Sequence, residues 1–155
     1  MDSLATAKAR ARCLKLMAFD VDGVLSDGTL LYTDEGLEIK VFNCLDGVGL
    51  NMLQKSGITV AIITGRKTPC VEFRMQNLGI ELLYQGITNK LEILHELLDK
   101  LGISADEAGF MGDDIIDLQS HGCLRLFGHT GGRPRSGETL CPVHFRQGRR
   151  QGRGA

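Results

Sequence analysis

The segment Phe19-Asp20-Val21-Asp22-Gly23, delivered by the apolar residues Leu14, Leu16, Met17 and Ala18, constrains the fold more than any other stretch of the chain. Such a short apolar run reads as a buried strand, and it exits onto two carboxylates one residue apart. Alternate side chains of a strand point to opposite faces, but the chain is already turning at its exit, and Gly23 lets both carboxylates swing into one crevice. Crowded anions repel, so the pair needs a cation between them or a shared proton. Magnesium, a hard ion that takes oxygen ligands, is the natural neutraliser.

The following residues supply a sheet for that strand. The strand is expected over 15–20 and a loop over 23–27. Segments 29–32 and 37–42 flank Asp34-Glu35-Gly36, whose glycine suits the left-handed position of a hairpin loop. In the second arm Leu37, Ile39 and Val41 alternate with Glu38, Lys40 and Phe42, so one face is apolar and needs a cover. From Asp46 a helix with Leu50 and Leu53 inward runs to Gly57, and 58–63 reads as a fully buried, parallel-type strand ending in Thr64-Gly65-Arg66. Thr68 and Pro69 open a helix that stops before Gly79, and 80–84 is a further strand. Leu91, Leu94, Leu98 and Leu101 recur at helical spacing over 89–102, a helix in which His95 reads as structural. A strand over 108–111 then reaches Gly112-Asp113-Asp114-Ile115-Ile116-Asp117. This alternation predicts an α/β fold, a doubly wound, Rossmann-like parallel sheet whose ligands sit beyond the carboxyl ends of the strands.

Four polar clusters fall at such ends: Asp20 with Asp22, Thr64, Lys90 near a helix start, and Asp113 with Asp114 and Asp117. Together they describe a phosphoryl-transfer site. A carboxylate attacks phosphorus only if its repulsion from the phosphate is cancelled, as a magnesium ion shared by Asp20 and Asp113 would do. Lys90 and Thr64 would hold the equatorial oxygens, and Asp22 would protonate the leaving oxygen and later deprotonate water. Taken singly, Thr64 reads as a helix cap and Lys90 as a solvated first-turn residue; only their place in the set raises them. Asp114 and Asp117 divide between the metal's surroundings and the stabilisation of a helix N-terminus.

These motifs, in this order over 14–118, resemble the haloacid dehalogenase superfamily of phosphatases. The resemblance implies that Asp20 is the nucleophile that becomes an aspartyl phosphate, Asp22 the acid and base that also offers a backbone carbonyl to magnesium, and Asp113 the third metal ligand. It implies phosphate-holding roles for Thr64 and Lys90, with Asp117 orienting Lys90. Only 41 residues separate Asp22 from Thr64, 25 separate Thr64 from Lys90 and 22 separate Lys90 from Asp113, all filled by core elements, so no cap domain is expected. Phe42-Asn43 with Leu45-Asp46-Gly47, Thr64-Gly65-Arg66-Lys67, Tyr84-Gln85-Gly86 and Gly112-Asp113-Asp114 are similar to the capless 3-deoxy-D-manno-octulosonate 8-phosphate phosphatases. That likeness implies a magnesium-dependent phosphomonoester hydrolase of lipopolysaccharide biosynthesis and a homotetramer built around its hairpins. Gly65 and Arg66 would then bind the sugar-acid phosphate, since a fixed fork of donors suits a carboxylate. A related nine-carbon sugar-acid phosphate is the alternative substrate, and a noncatalytic oligomerisation module of the same fold the alternative role. A phosphoacceptor receiver domain would place its acidic pair differently.

After Leu118 the resemblance ends. Residues 1–118, with the hairpin at 29–42, form the expected core and carry 11 Lys and Arg against 18 Asp and Glu. Residues 119–155 carry seven Arg, one acid (Glu138) and eight glycines, a segment expected either to be disordered or to complete the core. Its arginines lack the aromatic interleaving of a nucleic-acid surface, so no nucleic-acid partner is expected. No run of about 18 apolar residues is present to span a membrane, which points to a cytoplasmic protein. The five cysteines show no metal-type spacing and read as free thiols.

Overall fold

The computed structural model describes residue 9, residues 11–112 and residues 126–129, the last four by backbone alone. The central strand, β1 (Leu16–Phe19), is buried along its whole length. The hairpin strands β2 (Leu31–Tyr32) and β3 (Glu38–Ile39) follow, then helix α1 (Cys44–Lys55), strand β4 (Thr59–Thr64), helix α2 (Pro69–Asn77), strand β5 (Leu82–Gln85), helix α3 (Lys90–Leu101) and strand β6 (Ala108–Gly112). Strand β7 (Leu126–His129) comes from the Arg- and Gly-rich segment, where the sequence shows no strand period. The sheet order is β5-β4-β1-β6-β7, parallel throughout, and β2-β3 is a separate antiparallel pair. The expected doubly wound sheet is therefore present, with a projecting hairpin and no inserted domain between β1 and α1.

The pleat of β1 and β4 divides the core. Met17, Phe19, Val60 and Ile62 pack with Leu50 of α1 and Val71 and Met75 of α2 on one face. Leu16, Ala18, Ala61, Ile63 and Phe110 pack with Leu94, Leu97 and Leu98 of α3 on the other. Each of the larger side chains contributes roughly 1.5–3 kcal/mol by leaving water, which anchors the central strands. Leu97 joins the inward stripe anticipated for α3, whereas His95 is exposed. It is a surface residue of the helix rather than part of its packing.

Helix ends follow their chemistry. Helix α1 begins at Cys44, two residues ahead of the expected start, and Asn43 caps it by accepting from the Leu45 N–H at 2.9 Å. Asn89 does the same for α3, accepting from the Glu92 N–H at 3.3 Å, and Gly102 closes that helix at φ 63°, where glycine escapes the Cβ penalty. The Thr68 hydroxyl at the start of α2 makes no capping bond and lies 3.2 Å from Cys70 Sγ. Cys13, Cys44 and Cys70 are free thiols, and Cys123 and Cys141 lie outside the described residues.

Candidate active site

Parallel register brings the sequence-predicted residues to one end of the sheet. Phe19 is level with Ile62 of β4 and Met111 of β6, so Asp20 emerges between the exits of both neighbours. Its own N–H still donates to the Met111 carbonyl at 2.9 Å, which fixes the backbone at the turn. Both carboxylate oxygens are held: Oδ1 accepts from the Val21 N–H at 2.7 Å and Oδ2 from Lys90 Nζ at 2.7 Å. Asp20 and Lys90 are each about 95% buried, and Lys90 also lies 5.9 Å from the Phe110 ring centre. A buried carboxylate against a buried ammonium avoids leaving either charge uncompensated.

Thr64 closes β4 in the same crevice and is buried, while its carbonyl accepts from the Ile87 N–H at 3.1 Å. Gly65 is exposed, and a Cβ there would meet Ile87 O at an ordinary 3.6 Å, so the fold itself does not demand glycine. Asp113 follows β6 directly but lies outside the described residues, as do Asp114 and Asp117. Among the described residues no three His, Cys, Asp or Glu side chains converge as a metal cluster.

Asp22 and Arg66 have partners that sequence reasoning missed. Lys40 Nζ donates to Asp22 Oδ1, which also accepts from Ser26 Oγ at 3.3 Å. Lys40 Nζ further pairs with Glu38 Oε1 at 2.7 Å, a close contact that leaves this buried oxygen without a well-directed hydrogen bond. Arg66 reaches Asp22 Oδ2 at 3.7 Å and Glu38 Oε2 at 3.5 Å, with Tyr32 beside its guanidinium. Burial pushes the Lys40 ammonium down, but hydrogen bonds to Asp22 and Glu38 and their charges outweigh it and hold the group above the usual lysine range. Arg66 is likewise raised, first by Tyr32, against desolvation, and then by Glu38 and Asp22. The alternation of β3 is the signal that was available: opposite an apolar face, Glu38 and Lys40 point together toward the mouth of the site.

An acidic pair at the exit of the central strand of an uncapped parallel α/β sheet defines a haloacid dehalogenase-type phosphatase core. No protein-family model matches the chain. It is similar to a structure assigned to the HAD superfamily, subfamily III A, from Legionella pneumophila, with 38% identity, a TM-score of 0.80 and coverage of 83% of this chain and 70% of that one. It is similar to the 3-deoxy-D-manno-octulosonate 8-phosphate phosphatase of Moraxella catarrhalis, solved with a magnesium ion, a phosphate ion and a KDO molecule, at 39% identity, a TM-score of 0.80 and coverage of 90% of this chain and 79% of that one. It is also 48% identical over 113 residues to the 3-deoxy-D-manno-octulosonate 8-phosphate phosphatase KdsC of Escherichia coli strain B, across 73% of this chain. The chain spans about 60% of the length of that curated relative. It belongs to the 3-deoxy-D-manno-octulosonate 8-phosphate phosphatase family of the HAD superfamily.

Proposed function

We propose that the chain is a magnesium-dependent phosphatase that converts 3-deoxy-D-manno-octulosonate 8-phosphate to the free sugar acid and phosphate, a step toward lipopolysaccharide. The observation that carries this reading is the fixed Asp20 carboxylate, buried at the end of β1 with an ammonium 2.7 Å away. In the proposed reaction an Asp20 oxygen attacks phosphorus, the ester P–O bond breaks, and Asp22 gives its proton to the leaving oxygen. Asp22 then takes a proton from the water that cleaves the aspartyl phosphate. Lys90 and Thr64 hold the phosphoryl oxygens as charge moves onto them. Gly65 and Arg66 face the sugar acid, where the exposed Gly65 backbone leaves room for close approach.

The donor set fits the proposed ion: the Asp20 carboxylate, the Asp22 carbonyl and the Asp113 carboxylate are all hard oxygens. When bound there, magnesium would neutralise the repulsion between Asp20 and the phosphate.

The hairpin supports assembly. Leu30, Leu31, Tyr32, Leu37, Ile39 and Val41 are all exposed, and a two-stranded ribbon with such a face is marginal alone in water. We read this face as the contact that builds a homotetramer, and the protein as cytoplasmic; among the described residues no helix is long and apolar enough to cross a membrane. The division of labour between 1–118 and 119–155 follows the same reading, with catalytic groups in the first part.

The substrate is tested by comparing kcat/KM for 3-deoxy-D-manno-octulosonate 8-phosphate with that for nine-carbon sugar-acid phosphates. The octulosonate ester should be the best substrate; a nine-carbon ester preferred over it overturns the assignment.

A further inference from the structure

Lys40 is an unusual residue for a projecting hairpin. Its side chain is 1% exposed, while the large apolar side chains of the same hairpin face outward. This inverts the ordinary sorting, in which apolar groups are covered and a lysine keeps its ammonium in water. Burying an ammonium costs several kcal/mol before its partners offset it, and a wholly apolar cluster in place of these charges would often be at least as stable. The arrangement therefore needs an explanation in the site that Lys40 faces.

We propose that Lys40 is a positioning residue for the proton carrier Asp22, holding its carboxylate from the hairpin side while Glu38 holds Lys40. The inference rests on the phosphatase reading above. Four charges of alternating sign close a ring: Lys40 to Asp22, Asp22 to Arg66 at 3.7 Å, Arg66 to Glu38 at 3.5 Å, and Glu38 back to Lys40 at 2.7 Å. Arg66 is about half exposed and its contacts are long, so the short, buried Lys40 contact fixes Asp22, with Ser26 Oγ as a weaker second support. Among the described residues, Asp22 without Lys40 keeps only Ser26 and Arg66, and Glu38 is left beside a distant cation. Misplacing a catalytic group by about 1 Å is enough to cost 10²-fold in rate.

The step affected is proton delivery to the leaving oxygen as the ester bond breaks and the Asp20–phosphorus bond forms. A basic alkoxide needs that proton, whereas a stabilised aryloxide departs without it. The test compares kcat/KM, which reports events through formation of the aspartyl phosphate, for the sugar-acid phosphate and for p-nitrophenyl phosphate. In Lys40→Met the value should fall on the order of 10²-fold for the sugar-acid ester and less than about threefold for the aryl ester, and Lys40→Arg should recover most of it. Inhibition by inorganic phosphate should be unchanged. An equal fall on both esters, or no fall on either, overturns the role. If circular dichroism shows that Lys40→Met is unfolded, Glu38→Gln carries the same comparison, and absence of the leaving-group split there overturns the role too. A wild-type chain that hydrolyses neither ester removes the phosphatase reading itself, an outcome separate from a normal Lys40 variant in an active background.

Discussion

Lys90 Nζ and Asp20 Oδ2 lie 2.7 Å apart, although 70 positions separate the residues in the chain. The contact joins the N-terminus of α3 to the exit of β1, and burial on both sides keeps water from screening it. In the proposed reaction a cation held there would serve the carboxylate first and the phosphoryl group as charge moves onto it. Lys90→Met should therefore lower kcat/KM for phosphate release by about 10²-fold or more, the scale of losing one preorganised donor. A loss under threefold would detach Lys90 from the chemistry.

Two glycines of α1 separate helix propensity from packing. Gly49 is exposed and an added Cβ would meet nothing within 4 Å, so Gly49→Ala should stabilise the fold by about 0.5–1 kcal/mol. At Gly47 the same Cβ would come within 2.5 Å of Arg74 Nη2 and 3.2 Å of Leu78 Cδ2, displacing the guanidinium from the Asn43 carbonyl that accepts from it at 3.1 Å. Gly47→Ala should therefore fall below Gly49→Ala in urea midpoint. Equal midpoints would contradict the packing.

Glu107 gives a pH signature. Lys15 at 2.7 Å, and after it Ser104, hold this carboxyl below the usual glutamate range. A depressed folded value means that the contribution is present above the unfolded value and is lost as pH falls through the folded one. The Tm of the wild type should exceed that of Glu107→Gln at pH 7, and the gap should close in acid. A gap that persists there would show that the effect is not electrostatic.

The exposed hairpin face predicts association. Light scattering should give a tetramer of the 16.9 kDa chain, and Leu37→Glu, placed on a side chain already 63% exposed, should lower the mass without unfolding the protomer. A monomeric wild type would contradict the assembly.

The framework was legible wherever local chemistry and period agreed. The buried run of β4, the Asn89 and Gly102 ends of α3 and the acidic exit of β1 all announce themselves within a few residues. Strand β7 was not legible, because Leu126-Phe127-Gly128-His129 offers too short a pattern amid glycines and arginines and draws its register from β6. The partners of Asp22 were hidden for another reason. The alternation puts Lys40 and Glu38 on one face of their arm but does not say what that face meets; the fold of the hairpin over the sheet's end makes it internal. Arg66, expected to wait for a substrate carboxylate, is engaged with Tyr32, Glu38 and Asp22.

The most direct measurement is phosphate release from 3-deoxy-D-manno-octulosonate 8-phosphate by the wild type and by Asp20→Asn, each with magnesium and with EDTA. Asp20→Asn preserves size and removes the carboxylate charge that the proposed attack requires. The wild type should turn over with magnesium and lose that turnover on chelation, and the variant should show none. Equal release by Asp20→Asn, or a wild-type rate unaffected by EDTA, would contradict it.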